Sequence, residues 1–301
     1  VTSDPIPDDV AALVEASIAD NTRRAYRSDL DHFSAWGGTL PAEPPLVASY
    51  LAAHAETLSV ATLVRRIATI SKAHEARGLP NPCRSEIVRA TLRGIKRTRG
   101  IPQREAKPLL RDDLFRVLDF MGEGVKDARD RALLQIGFAG GFRRSEIVGL
   151  NYDDVERVRQ GLVITLRRSK TDQEGAGRKV GLPFGRTRHC PVIALDRWFA
   201  VSRVEGGPIF RAVDRHGHVS AVRLSGEAVS LIVKERVAAA NIDPTGFSGH
   251  SLRAGFATSA VQAGVSTLKI RSQTGHASDT MLSRYVRDGE LFVDNAAAAL
   301  L

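Results

Sequence analysis

From Ser59 to Gly78, in SVATLVRRIATISKAHEARG, apolar residues return every three or four positions: Val60, Leu63, Val64, Ile67 and Ile70. That spacing predicts an α-helix with these residues on one face, Arg65, Arg66 and Lys72 on the other, and Gly78 as its stop. The same period runs through residues 9–99. Ala25, Tyr26, Leu30, Phe33 and Trp36 follow candidate caps at Asn21 and Thr22. PAEPPLVASYLAAHA opens on prolines, which suit a first helical turn, and SEIVRATLRGIKRTRG closes the region with an arginine-rich helix. Four or five helices and no strand are predicted here.

The period fails at RTRGIPQREAKPLL, residues 97–110, where glycine, two prolines and several cations leave little to bury. The chain therefore divides into a flexible arm over residues 1–8, a helical domain over 9–99, a basic linker over 100–107 and a second domain over 108–301. In the second domain LLRDDLFRVLDFM reads as a capped helix and DARDRALLQIGFAGGFRRSEIVGL as two helices broken at Gly140 and Gly141. GLVITLRRSKT changes to the two-residue period of a strand and RKVGLPF answers it, so a hairpin or small three-stranded sheet is expected. Helices are expected again from Val192 to the end. The fold class is mainly α, with a small antiparallel β-sheet in the second domain.

Charge adds a partner to this picture. There are 43 Lys and Arg against 34 Asp and Glu, a formal net charge of +9, which suits an acidic partner such as nucleic acid. Arg65, Arg66 and Lys72, with Arg97 and Arg99 at the mouth of the linker, are candidate DNA contacts; a solvated helix face is the competing reading. Cys83 and Cys190 are the only cysteines, too few for a disulfide framework or a zinc set. His216 and His218 in DRHGHVS have no such cluster around them in sequence and read as a turn. No GxxxxGK[ST] loop and no carboxylate cluster occurs, so no cofactor or metal is expected. The acidic first residues lack a signal-peptide core and no apolar run is long enough to span a bilayer, so a cytoplasmic location is expected.

The candidate chemistry lies near the carboxyl end. In SGHSLRAG, residues 248–255, Ser248 is a candidate N-cap, and His250 and Arg253 are predicted to share the first helical turn. Two cationic donors beside free backbone N–H groups form a site for an oxyanion. Around this pair stand GGFRRSEIVGL with Arg143 and Glu146, RRSKTDQEG with Lys170 at the predicted hairpin tip, and TGHASDTMLSRYVRD with His276 and Tyr285.

The order Arg, Lys, HxxR, Gly-His, Tyr resembles the tyrosine recombinase (phage integrase) family, most closely its Cre-like and Xer-like members. The resemblance is strongest from Ala139 to Asp288 and extends more weakly over the helical domain. It implies catalytic roles for Arg143, Lys170, His250, Arg253, His276 and Tyr285, with Glu146 supporting Arg143. His276 stands where Cre has tryptophan, and Tyr285 is followed by Val-Arg-Asp rather than the Thr-His of many integrases. The resemblance implies a C-shaped two-domain clamp on double-stranded DNA carrying an inverted-repeat site, a 3′-phosphotyrosyl intermediate, a Holliday junction and a homotetramer. It also implies that the tail GELFVDNAAAALL docks on a neighbouring protomer; folding back on its own domain is the other reading. A type IB topoisomerase and a non-catalytic DNA-binding regulator on the same fold are the rival functions.

Overall fold

The computed structural model describes residues 20–100, 106–167, 177–276 and 278–289, together with Ile18. The expected arm (1–8), Lys170 and the tail beyond residue 289 lie outside the described residues. Contacts divide the chain into two compact units, residues 1–103 and 104–301.

The first unit is helical: α1 (Asp20–Ala35), α2 (Pro44–Ala53), α3 (Val60–Glu75), a 3₁₀ turn (Pro82–Arg84) and α4 (Glu86–Arg99). Proline starts α2. Ser59 caps α3, its Oγ accepting from the Thr62 N–H at 3.1 Å. Phe33, Val47, Tyr50, Leu51, Leu63, Ile70, Val88 and Ile95 form the core.

The buried stripe of α3 differs from the expected one. Val64 is exposed, whereas Arg66, Thr69 and His74 lie inside with Leu63 and Ile70. Arg66 sits three residues after Leu63 and four before Ile70, so it shares their face. Its Nη1 donates to the Tyr50 hydroxyl at 2.8 Å and contacts the His32 ring. Nearby Asp29, also buried, accepts from Arg65 Nε at 2.9 Å and Nη2 at 2.7 Å, and from Thr69 Oγ1 at 3.1 Å. The expectation of Arg66 as a DNA contact is corrected: its guanidinium serves a buried polar network. Arg65 is held by Asp29, Lys72 pairs with Glu75 and Arg99 with Glu56, each remaining partly exposed. Arg97 is exposed.

The second unit begins with α5 (Arg111–Asp119), α6 (Val125–Ala139) and α7 (Arg144–Gly149). A three-stranded antiparallel sheet follows, β1 (Val155–Val158), β2 (Gly161–Leu166) and β3 (Arg178–Pro183), with β2 in the middle. Leu162 faces Leu182 and Ile164 faces Val180, so the two-residue period of β2 points Leu162, Ile164 and Leu166 inward. Then come α8 (Pro191–Ser202), β4 (Arg211–Val213), β5 (Val219–Arg223), α9 (Gly226–Ala239), α10 (Ser251–Gln262), α11 (Thr267–Thr274) and α12 (Asp279–Gly289). The β4–β5 hairpin interrupts the helices expected from Val192 onward. Its turn is residues 214–218 of the DRHGHVS segment, where Asp214 Oδ1 accepts from the His216 and His218 N–H groups at 2.8 and 2.9 Å.

α6 is buried around most of its surface and forms the centre of the unit, with Ala132, Leu133, Leu134 and Ile136 fully buried and Arg129, Asp130 and Gln135 also inside. α8 packs along it; Trp198 is buried and its Nε1 donates to the Ile209 carbonyl at 2.9 Å. At α10 a β-carbon on Gly255 would fall 1.8 Å from the Leu109 carbonyl oxygen, so only glycine lets that strand of backbone pass. A smaller cluster, Ala254, Ala257, Val261, Ile270, Leu282 and Tyr285, joins α10, α11 and α12. It brings the tyrosine beside the start of α10.

Candidate active site

Four chain segments meet here: the break between α6 and α7, the start of β3, the start of α10, and the α11–α12 region. Arg143 is the N-cap of α7 and holds Glu146 in two ways. Its backbone N–H donates to Oε2 at 2.8 Å and its Nη1 to Oε1 at 2.7 Å. The second guanidinium nitrogen, Nη2, donates to the Gly275 carbonyl at 3.3 Å. Arg144 is exposed.

α10 starts later than expected. A turn comes first, in which the Ser251 N–H donates to the Ser248 carbonyl at 2.9 Å and the His250 N–H to Ser248 Oγ at 3.2 Å. The helix begins at Ser251 and His250 is its N-cap. This leaves the imidazole exposed at the helix mouth, with Nε2 2.9 Å from the Tyr285 hydroxyl. Arg253, one turn on, is 1% exposed. Its Nη1 donates to the carbonyls of Gly141, at 2.7 Å, and Thr274. Its Nη2 is buried with no partner. Burial, then the neighbouring Arg143 cation, lower its pKa to about 10. It stays charged at neutral pH, with one N–H edge unspent.

Arg143 and Arg253 thus hold consecutive carbonyls, Gly275 and Thr274, although 110 residues separate them in sequence. Gly275, at φ 66°, ends α11 in the left-handed conformation and turns the chain toward His276. His276 is buried, its Nδ1 lying 2.7 Å from Thr274 Oγ1, which is itself 2.7 Å from the Ile270 carbonyl. Burial first, then Arg253, Arg143, His250 and Arg178, lower its pKa to about 3, so the ring is neutral at physiological pH. Tyr285, on α12, is 9% exposed, and its ring centroid is 5.7 Å from that of His276.

Five of the six sequence-predicted catalytic residues, with Glu146, therefore converge; Lys170 lies outside the described residues. Arg65, Arg66, Lys72, Arg97 and Arg99 belong to the other unit. Two site residues escaped the sequence reading. Thr274 contacts the His276 ring, and its position two residues before that histidine is the signal that was available. Arg178, first residue of β3, sends Nη2 to Glu146 Oε2 at 3.3 Å and Nη1 to the Gln273 carbonyl. No motif marks it, because its partners lie 32 and 95 residues away.

This arrangement sets a tyrosine beside a histidine and two converging arginines, a donor set suited to a phosphate group. The chain belongs to the phage integrase family, whose model matches residues 107–290. It is 40% identical to an integrase/recombinase xerD homolog of Selenomonas ruminantium, over 94% of this chain and 86% of that one. It is 29% identical to the recombinase cre of Escherichia phage P1, over 82% and 77%. Its fold is similar to that of a lambda integrase tetramer bound to a Holliday junction, with a TM-score of 0.63 and 17% identity over 91% of this chain and 74% of that one. Among the described residues no helix is long and apolar enough to cross a membrane.

Proposed function

We propose that this protein is a site-specific DNA recombinase that cuts and rejoins duplexes by phosphotyrosyl transfer. The observation that carries the reading is the Tyr285 hydroxyl, 2.9 Å from His250 Nε2, beside two buried-edge arginines from distant segments. Tyr285 Oη attacks the scissile phosphorus and the bond to the 5′-oxygen breaks. A 3′-phosphotyrosine and a free 5′-hydroxyl result. The phenol proton goes to His250 Nε2, and Lys170 supplies one to the departing 5′-oxygen. A phenol, with an ordinary pKa near 10, leaves again when a 5′-hydroxyl attacks, so bond energy is conserved across the exchange.

Negative charge builds on the non-bridging oxygens in the transition state. The free Arg253 Nη2 and the Arg143 fork receive it, and such preorganised donors are worth about 2.7–4 kcal/mol each. His276 is neutral and has one N–H. The Thr274 hydroxyl donates to the Ile270 carbonyl, so its oxygen accepts from the His276 Nδ1–H and Nε2 is the unprotonated ring nitrogen. The first unit holds DNA as the core-binding domain, with the basic linker to the catalytic domain. The assembly is a homotetramer on two duplexes with inverted-repeat sites, passing through a Holliday junction in the cytoplasm. Similarity to recombinases over most of both chains favours this over topoisomerase or regulator activity.

A duplex from the DNA flanking the gene, nicked just 3′ of the cleavage site, tests the chemistry. The short leaving strand diffuses away and traps the covalent complex on a denaturing gel. Wild-type protein should give the trapped band. Tyr285→Phe should abolish it while binding persists; a band from that variant would remove Tyr285 as nucleophile.

A further inference from the structure

The Glu146 carboxylate is buried, its side chain 1% exposed, and it faces two guanidiniums. Arg143 binds Oε1 at 2.7 Å and Arg178 binds Oε2 at 3.3 Å. Arg178 is itself fixed. Its Nη1 donates to the Gln273 carbonyl, its Nε is buried without a partner, and a β-carbon on Gly275 would lie 3.0 Å from its Cζ and Nε. The side chain is therefore wedged between Glu146 and the turn that carries His276.

We propose that Arg178 is the resident counter-ion of Glu146, a positioning residue that frees Arg143 to grip the scissile phosphate. With Arg143 as its sole cation, Glu146 would compete with the phosphate for that guanidinium. A buried carboxylate stripped of its partner is unfavourable, so the competition would be severe. Arg178 keeps Glu146 paired while Arg143 turns to the DNA. Arg143, Arg178 and Arg253 against one carboxylate also leave two positive charges uncompensated. That suits a phosphate whose charge grows during attack. Burial, the largest influence on Arg178, lowers its pKa, and the Glu146 carboxylate acts against this.

The inference rests on the recombinase reading, and its test separates the two. The probe is a nicked duplex carrying the tightest site recovered from a random-sequence pool. Arg178→Gln removes the charge and keeps a hydrogen-bonding side chain. It should slow covalent-complex formation at saturating protein by about ten-fold or more, with less than about a three-fold change in Kd. Arg178→Lys should recover most of the rate. In a Glu146→Gln background the same Arg178→Gln change should cost less than about three-fold, because no carboxylate is left to compete. An unchanged rate in Arg178→Gln, or an equal loss in both backgrounds, overturns the proposal. The same four-protein cycle read by thermal unfolding needs no DNA: coupled midpoint shifts support the pair, and additive shifts overturn it. Wild-type protein that forms no covalent complex would count against the recombinase reading, leaving the melting cycle to decide the ion pair.

Discussion

At His276 burial and charge act in the same direction. The folded ring has a pKa lowered to about 3 from 6.5, first by burial and then by the cations around it. The unfolded chain therefore binds a proton that the folded chain refuses between these values. The stability associated with neutral His276 is complete above pH 6.5 and is lost as pH falls toward 3, by about 1.4 kcal/mol per unit at most. His276→Gln should melt with a shallower acid dependence than the wild type between pH 6.5 and 4. Parallel curves would show that His276 is not the group held neutral. Arg66 is a cation in the sequence that is not a cation on the surface. It was expected opposite the apolar face, yet it lies on the stripe of Leu63 and Ile70. Its spacing from those two residues was a local sign of this; its partners Asp29 and Tyr50, which make the burial tolerable, come from α1 and α2.

Among the elements, α10 has the most demanding position. It carries His250 at its cap and Arg253 one turn in, and it passes the chain at Leu109, whose N–H donates to the Ser251 carbonyl at 3.0 Å. Gly255→Ala should destabilise the second unit by about 1–3 kcal/mol, read as a lower melting temperature, since a backbone oxygen cannot move aside as a side chain does. An unchanged melting temperature would mean that the Leu109 segment yields freely. Most elements were legible from their period: α2, α3, α4, the break at Gly140 and Gly141, and the alternation of β2. The exceptions have physical causes. β4 has three residues, too few to show a period. The cap of α10 is His250 rather than the expected Ser248, because Ser248 caps a preliminary turn, a choice that local residue types leave open.

For the whole molecule, a net charge of +9 and family membership point to a DNA-bound state. Each cation that neutralises a phosphate steepens the dependence of affinity on salt. Arg97 is exposed near the end of α4, whereas Arg66 is buried. Arg97→Ala should weaken binding similarly for all DNA sequences and reduce the log Kd against log salt slope by about one. Arg66→Ala should instead lower the thermal stability of the first unit, leaving the slope of the folded protein unchanged. Binding titrations at several salt concentrations, with melting curves alongside, distinguish these outcomes. A reduced slope in Arg66→Ala would return that residue to the DNA surface.

The sequence alone determined the alternation of helical and strand segments, the basic character and the order of the chemically special residues. Period, net charge and motif are properties of neighbouring positions and survive without a fold. Tertiary structure decided which cations are spent and which remain available. It committed Arg66 to a buried network, set Arg178 against Glu146, left an edge of Arg253 free and held His276 neutral. A charge takes its meaning from its partner and its exposure to water, and both are supplied by segments that only folding brings together.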